Sequence, residues 1–179
     1  KTIYCPSLKK KLSQKIIPKQ FIYWLANREK DSRQLLIFVP TIELAEQLHP
    51  EITDVCKKLN IITKQSQVVS VHAEDKQREN KVNLFRERKI KVIITTTILE
   101  RGVTFPEIDV AVLDASHDVF DDAALVQIAG RAGRSELDPT GEVVYFHDGK
   151  TNAIVEAIQL IKEMNRRGDK LRLEGVKRK

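Results

Sequence analysis

A run of five consecutive apolar residues, 35–39 (LLIFV), constrains the fold most strongly, and Pro40 closes it. A strand that is apolar at every position has both faces buried, which is typical of a parallel sheet covered by helices. Thr41 can cap a helix that begins after Pro40, and Pro50 within that helix predicts a kink or a split. The apolar stripe of this helix comprises Leu44, Ala45, Leu48, Ile52, Val55, Cys56 and Leu59.

The same alternation of short apolar runs and helical stripes continues along the chain. Further strands are predicted over residues 68–71, 91–95, 109–113 and 141–146. Further helices are predicted over residues 18–30, 75–88 and 151–167, with another that starts at Asp121 or Asp122. Strands that alternate with helices form a mostly parallel sheet with helices on both faces. We therefore expect a three-layer α/β/α domain.

The length of 179 residues suits one domain with a sizeable core. We expect residues 1–17 to be a lead-in or linker, residues 18–167 to be the domain, and residues 168–179 to be a basic tail. Because the first residue is Lys1 rather than Met, the chain is expected to be part of a longer protein. The net charge of +6, concentrated near the carboxyl end, favours contact with nucleic acid or another polyanion.

The composition excludes several classes of protein. The chain has only two cysteines, Cys5 and Cys56, and neither they nor the four histidines show the spacing of a metal site. There is no apolar run long enough to span a membrane. These features favour the cytoplasm, with attachment to the inner face of the membrane only through partners.

Residues 127–134 (QIAGRAGR) place two arginines three positions apart among small residues. If the segment is helical, Arg131 and Arg134 project from one face. Guanidinium groups bind phosphate oxygens in a fork and keep their charge, and small neighbours let a partner come close. The pattern therefore favours a phosphate-binding surface. The alternative is a helix end that is basic without having a ligand.

A second unusual segment, residues 95–106 (TTTILERGVTFP), follows the predicted strand 91–95. Ligands of parallel α/β sheets gather at the carboxyl ends of the strands. Four segments fall at such ends: residues 40–41, 71–73 and 95–97, and the loop beyond Leu113. Structural alternatives stay open for three of these segments, since Thr41 can simply cap a helix, residues 95–97 can simply form a strand, and His72 can pack in a turn.

These segments resemble motifs of the second RecA-like domain of superfamily 2 helicases and translocases. Residues 35–41 resemble motif IV, residues 71–86 the motif after it, residues 93–106 motif V, and residues 127–134 motif VI. The residues within motif V, ERGVT at 100–104, are similar to the corresponding segment of the DNA-uptake ATPases of naturally competent bacteria. The resemblance implies a RecA-like fold that is half of a two-domain ATPase.

The resemblance also implies roles at the nucleotide. Arg134 matches the arginine finger, and Arg131 matches the second motif VI arginine that reaches the γ-phosphate of ATP on the preceding domain. Gln127 matches a residue that helps to hold the nucleotide. Gly102 and Thr104 match positions near the ribose and the cleft between domains, although DEAD-box proteins usually carry Asp where this chain has Thr104.

On the nucleic acid, the resemblance implies contacts with the sugar-phosphate backbone. Thr96 matches the motif V residue that touches a strand phosphate, and Thr97 follows it. Thr41, His72 and Ala73 fall where the family makes other backbone contacts. A hydroxyl beside a backbone amide binds phosphate without reading bases, so binding should tolerate any sequence and weaken with salt.

The sequence contains no G-x-x-x-x-G-K-[ST] loop and no D-E-x-[DH] box. ATP and Mg²⁺ are therefore expected to bind mainly to an N-terminal RecA-like domain of the same protein, and this chain alone is expected to be inactive. The function implied is the C-terminal motor domain of an ATP-dependent DNA helicase or translocase, for single-stranded DNA uptake in competence. Single-stranded DNA, the N-terminal domain and the DNA-uptake machinery are the expected partners.

Three alternatives remain at this stage. The first is the C-terminal domain of an RNA helicase, and the second is a non-catalytic nucleic-acid-binding module with a helicase fold. The third is a small-molecule enzyme of the Rossmann type, which the absence of a G-x-G-x-x-G segment argues against.

Overall fold

A computed structural model of the chain describes residues 1–28, 33–96, 105–132 and 141–177, with side chains as far as residue 168. Its centre is a six-stranded sheet of order β1-β6-β5-β2-β4-β3, in which every pairing between neighbours is parallel. The strands are β1 (Thr2–Tyr4), β2 (Gln34–Phe38), β3 (Val68–Val71), β4 (Val92–Thr95), β5 (Ile108–Leu113) and β6 (Val143–His147).

Helices cover both faces of this sheet. They are α1 (Leu8–Ser13), α2 (Lys19–Asn27), α3 (Ile42–Lys58), α4 (Arg78–Arg86), α5 (Asp122–Ala129) and α6 (Asn152–Lys177), with 3₁₀ turns at Gln65–Gln67 and Gly130–Ala132. Strand β2 shows how the layers form. Leu35 and Ile37 belong to the core that α1, α2 and α3 cover, whereas Leu36 and Phe38 belong to the core that α4, α5 and α6 cover. The expected three-layer α/β/α fold with a parallel sheet is confirmed.

The register aligns the strand ends. Phe38 at the end of β2 pairs with Thr95 at the end of β4, and Thr95 pairs in turn with Val71 at the end of β3. All strands run in the same direction, so their carboxyl ends form one edge of the sheet and their amino ends the other. We call these the carboxyl edge and the amino edge.

The expectation that residues 1–17 are a lead-in is wrong. Strand β1 pairs with β6, with Thr2 opposite Tyr145, and helix α1 buries Leu8 and Leu12 in the core. Neither element was predicted from the sequence, because β1 is only three residues long and α1 carries three consecutive lysines at 9–11. This segment is therefore part of the domain.

Other boundaries also differ from expectation. The closing helix predicted for residues 151–167 continues to Lys177, so the backbone of most of the expected tail is helical. Pro50 does not split α3, because buried residues lie on both sides of it, Leu48 before and Ile52 after. Helix α4 begins at Arg78, because the Asp75 carboxylate accepts a hydrogen bond from the Gln77 amide at 2.8 Å and holds a turn there instead of capping the helix.

No helix of the described residues is long and apolar enough to cross a membrane. Cys5 and Cys56 are free thiols, and both are fully buried in the core beneath α1, α2 and α3. Burial raises the pKa of each thiol to about 11. A thiol with so high a pKa is a poor nucleophile, so these cysteines act as small apolar core residues.

Candidate functional site

The carboxyl edge brings together three of the segments that the sequence singled out. Thr41 follows β2, Thr96 follows β4, and His72 follows β3. Since β2, β4 and β3 are consecutive neighbours in the sheet, these residues follow strands that lie about 4.8 Å apart. The parallel topology therefore places the predicted nucleic-acid contacts side by side at one edge.

Thr41 caps helix α3. Its side-chain oxygen accepts a hydrogen bond from the Leu44 amide at 3.1 Å, and the residue is exposed. The structural reading of Thr41 is thus confirmed. The cap uses the hydroxyl as an acceptor, however, and a hydroxyl can donate at the same time. Thr41 therefore remains able to donate a hydrogen bond to a phosphate oxygen.

The loop after β3 is ordered by its own side chains. His72 Nδ1 accepts a hydrogen bond from the Glu74 amide at 3.2 Å, and the His72 carbonyl accepts one from the Asp75 amide at 3.1 Å. Ala73 is exposed between these bonds. His72 is therefore a turn residue, and the turn presents Ala73 to solvent.

Asp75 and Lys81 anchor that loop to the sheet. Lys81 Nζ donates to Asp75 Oδ2 at 2.5 Å and to the Ser70 carbonyl at 2.9 Å. The hydrogen bond from Lys81 lowers the pKa of the Asp75 carboxyl below its ordinary value, and the bond from the Gln77 amide acts in the same direction. These bonds tie the loop after β3 both to helix α4 and to strand β3.

The threonines at the end of β4 and directly after it are less accessible than the sequence predicted. Thr95 Oγ1 donates to the Val71 carbonyl at 2.8 Å, which ties β4 to β3. Thr96 is only 6 % exposed. The predicted site residues Thr97, Gly102 and Thr104 lie outside the described residues.

Arg131 lies in the 3₁₀ turn that follows α5, not in an α-helix as expected, because α5 ends at Ala129. It is also buried, with 9 % of its surface exposed, where the sequence predicted an approachable surface. Burial lowers the pKa of its guanidinium below the ordinary value, although arginine keeps its charge in proteins. Gln127, four residues earlier on α5, is exposed. Arg134 lies outside the described residues.

The turn that carries Arg131 is at the amino edge of the sheet. A Cβ atom at Gly141 would lie 3.1 Å from the carbonyl oxygen of Ala132 and 3.4 Å from that of Ile108, the first residue of β5. Thr41 and His72 lie at the opposite edge, and a strand of six residues such as β5 spans about 17 Å. Among the described residues, Arg131 thus lies at the opposite edge of the sheet from Thr41 and His72.

A buried ionic network at the amino edge was not predicted. Asp109 accepts hydrogen bonds from Arg28 Nη1 at 2.6 Å and from Arg33 Nε at 2.9 Å, and it also accepts one from the Glu142 amide at 3.0 Å. Arg33 Nη2 donates to the Ile108 carbonyl at 2.9 Å. The one available signal was the charge of Asp109 inside the apolar run of β5.

Trp24 packs beside this network and contacts both Glu142 and Arg28. Its Nε1 donates to Glu142 Oε2 at 3.2 Å, and the guanidinium of Arg28 lies 6.0 Å from the centre of its ring. Trp24 is 5 % exposed and also packs edge-on against Phe146 in the core. It is therefore a structural residue that links α2 to β6.

The described part of the chain has no group of three or more His, Cys, Asp or Glu side chains placed to hold a metal ion. The carboxyl edge presents hydroxyl and backbone amide groups of the kind that bind phosphate oxygens. At the amino edge, Arg131 is a buried cation, and the guanidinium groups of Arg28 and Arg33 are bound to Asp109.

Comparison with known proteins identifies the family of the chain. The family model "Helicase conserved C-terminal domain" matches residues 13–136. The chain is 42% identical to the competence protein ComFA of Bacillus subtilis over 164 residues, which cover 91% of this chain and 33% of that protein. It is 40% identical to ComFA of Streptococcus pneumoniae over 143 residues, or 80% of this chain and 32% of that protein. The chain thus spans about a third of the length of these curated relatives.

Solved structures agree on the fold. The C-terminal domain of the DEAD-box protein Dbp5 superposes with a TM-score of 0.61 and 24% identity, covering 89% of this chain and 82% of that one. The family model covers most of the chain. The chain therefore belongs to the family of helicase conserved C-terminal domains and has the fold of the second RecA-like domain of superfamily 2 helicases.

Proposed function

We propose that this chain is the C-terminal motor domain of an ATP-dependent translocase that moves single-stranded DNA during competence. The observation that carries the proposal is the match to two competence proteins over most of the chain. The whole protein would work in the cytoplasm or at the inner face of the membrane, next to the DNA-uptake machinery.

Arg134 is proposed as the arginine finger, and Arg131 as the second cation that faces the γ-phosphate of ATP. The burial of Arg131 supports this role, because a guanidinium fixed in a packed turn needs little reorganisation to stabilise developing charge. Gln127 would contact the nucleotide from α5, and Gly102 and Thr104 would lie near the ribose. Mg²⁺ and most of the triphosphate would be held by the N-terminal RecA-like domain.

The carboxyl edge is proposed as the strand-binding surface. Thr41, His72 and Ala73 would meet the sugar-phosphate backbone directly, since Thr41 and Ala73 are exposed. Thr96 and Thr97 would contribute from the segment after β4. Contacts limited to phosphates predict binding that is independent of base sequence and falls steeply with salt.

The separation of the two surfaces supports a mechanism of coupling. Arg131 lies at the amino edge of the parallel sheet, and Thr41 and His72 lie at its carboxyl edge, so a rigid movement of this domain would change both proposed contacts together. In the closed state the arginines reach the γ-phosphate and the carboxyl edge grips the strand. Loss of the γ-phosphate on hydrolysis removes the differential contact that favours closure, and the domain moves relative to the strand.

The chain alone is proposed to be inactive as an ATPase. It contains no phosphate-binding loop of the G-x-x-x-x-G-K-[ST] type. An arginine finger stabilises charge on a phosphoryl group that other residues must already hold. ATP turnover should therefore require the N-terminal RecA-like domain.

The proposal is tested by measuring ATP turnover of the two-domain protein with single-stranded DNA and with single-stranded RNA of equal length. We expect DNA to stimulate turnover much more strongly, for several unrelated base sequences. Stronger stimulation by RNA would support the RNA helicase alternative. Strand binding without any ATP turnover would support the non-catalytic alternative, and either result would contradict the proposal.

A further inference from the structure

Gly141 lies where two parts of the amino edge meet. A Cβ atom at this position would lie 3.1 Å from the Ala132 carbonyl oxygen and 3.2 Å from Arg33 Nη2. The backbone of Gly141 is not in the left-handed region, so its conformation does not require glycine. What requires glycine is the close approach of these two neighbours.

The Arg33 side of this contact cannot move away easily. Arg33 Nε donates to Asp109 at 2.9 Å, and Nη2 donates to the Ile108 carbonyl at 2.9 Å. The Arg33 side chain is 6% exposed and that of Asp109 is 1% exposed. Because Asp109 also binds Arg28 and the Glu142 amide, the guanidinium of Arg33 is fixed from several directions.

The Ala132 side of the contact is the end of the turn that carries Arg131. Ala132 is fully buried, and Arg131 precedes it directly. A backbone carbonyl that packs on Gly141 therefore fixes the turn against the first residues of β5 and β6. The chain of contacts runs from Asp109 through Arg33 and Gly141 to Ala132 and Arg131.

We infer that Gly141, seated on the Arg33–Asp109 pair, is a positioning residue that sets how far Arg131 reaches toward the bound nucleotide. This inference rests on the proposed role of Arg131 in ATP hydrolysis. Gly141 itself would touch neither ATP nor DNA. It acts because its missing side chain allows the turn at Gly130–Ala132 to pack closely against the Arg33–Asp109 pair.

The test is Gly141→Ala in the two-domain protein. The added methyl group must displace the Ala132 carbonyl or Arg33 by a few tenths of an ångström, since 3.1 and 3.2 Å are too short for ordinary contacts. Electrostatic stabilisation of a transition state depends on exact placement, so we expect kcat for ATP to fall roughly tenfold and KM to change less than about threefold. Gly149→Ala is the matched control, because a Cβ there meets nothing within 4 Å.

Two further readouts separate positioning from general damage. The affinity for single-stranded DNA without nucleotide should match the wild type, because the proposed strand contacts lie at the opposite edge. The thermal unfolding midpoint should fall below that of the Gly149→Ala control, because the methyl group crowds a packed site, but the protein should stay folded at the assay temperature. An unchanged kcat would overturn the inference, and so would a parallel loss of kcat and DNA affinity.

Arg131→Lys in the same assay separates this inference from the proposed function. If Arg131→Lys has wild-type kcat, the proposed role of Arg131 is wrong. If Arg131→Lys lowers kcat and Gly141→Ala does not, only the positioning role is wrong. Should Gly141→Ala not fold, Arg33→Lys replaces it, because an ammonium removes the fork that packs on Gly141. That variant should also lower kcat while DNA affinity is kept, and wild-type kcat would overturn the inference.

Discussion

Arg28 Nη1 lies 2.6 Å from Asp109 Oδ2, and each of the two side chains is only 1 % exposed. Arg33 binds the other oxygen of the same carboxylate. One acidic side chain thus serves two buried guanidinium groups and joins the end of α2 and the start of β2 to the central strand β5.

Asp109→Asn should lower the free energy of unfolding by about 3–5 kcal/mol, because both arginines would stay buried without their anion. The matched control is Asp118→Asn, since Asp118 is exposed in the loop after β5. Urea denaturation of the two variants and the wild type is the measurement. Equal midpoints for Asp109→Asn and Asp118→Asn would show that the network contributes little.

Thr41 has two predicted roles that substitution can separate. Thr41→Val should cost about 0.5–2 kcal/mol through loss of the cap on α3. Thr41→Asp keeps a side-chain acceptor for the Leu44 amide but places a negative charge beside the strand. We expect that variant to fold as stably as the wild type and to bind single-stranded DNA more weakly, as measured by titration at fixed salt. Wild-type affinity of the Thr41→Asp variant would leave Thr41 as a helix cap only.

The ion pair of Asp75 and Lys81 predicts a pH dependence. Because the folded-state pKa of Asp75 is lowered, the stability it contributes is present above its unfolded-state pKa and is lost as the pH falls through the folded value. Lys81→Met should raise the Asp75 pKa and make the loss of stability at low pH smaller. Carboxyl carbon shifts in an NMR titration report the change, with Lys76→Met at an exposed position as the control. An unmoved Asp75 titration in Lys81→Met would contradict the assignment of its partner.

The two buried thiols predict the opposite dependence at alkaline pH. Their folded-state pKa of about 11 lies above the ordinary value of 9.0, so the stability that they contribute is fully present below pH 9 and declines as the pH rises toward 11. Cys56→Ala should show a smaller decline over this interval than the wild type. Denaturant midpoints from pH 8 to pH 11 test this, and identical slopes for the two proteins would contradict it.

Patterns that depend on burial alone predicted the fold well. The apolar run at 35–39 and the strand at 91–95 each match an observed strand to within one residue, because a central parallel strand is apolar at every position. The predicted start of a helix at Asp121 or Asp122 is confirmed, since α5 begins at Asp122 and Asp121 accepts a hydrogen bond from the Ala124 amide at 2.7 Å. Strand β1 was missed because a three-residue edge strand has too few positions to show a period.

Patterns of charge predicted the site less well. The sequence indicates that Arg131 is a cation, but its burial depends on the 3₁₀ turn after α5 and on packing against β5, which are tertiary features. Arg28, Arg33 and Asp109 come from two separate parts of the chain, so no local spacing reveals that they meet. The carboxyl-edge part of the candidate site depends on which strands are neighbours. Thr41, His72 and Thr96 lie together there only because β2, β4 and β3 are adjacent in the sheet.

The most direct test of the account is ATP turnover by the two-domain protein with saturating single-stranded DNA, comparing Arg134→Ala with Arg166→Ala. Arg166 is exposed on α6 and serves as the matched control for loss of one arginine. We predict that Arg134→Ala lowers kcat by about 10³–10⁵ while ATP still binds, as expected for loss of an arginine finger. Arg166→Ala should retain wild-type kcat. Wild-type turnover by Arg134→Ala would contradict the proposal that this domain completes the ATP site.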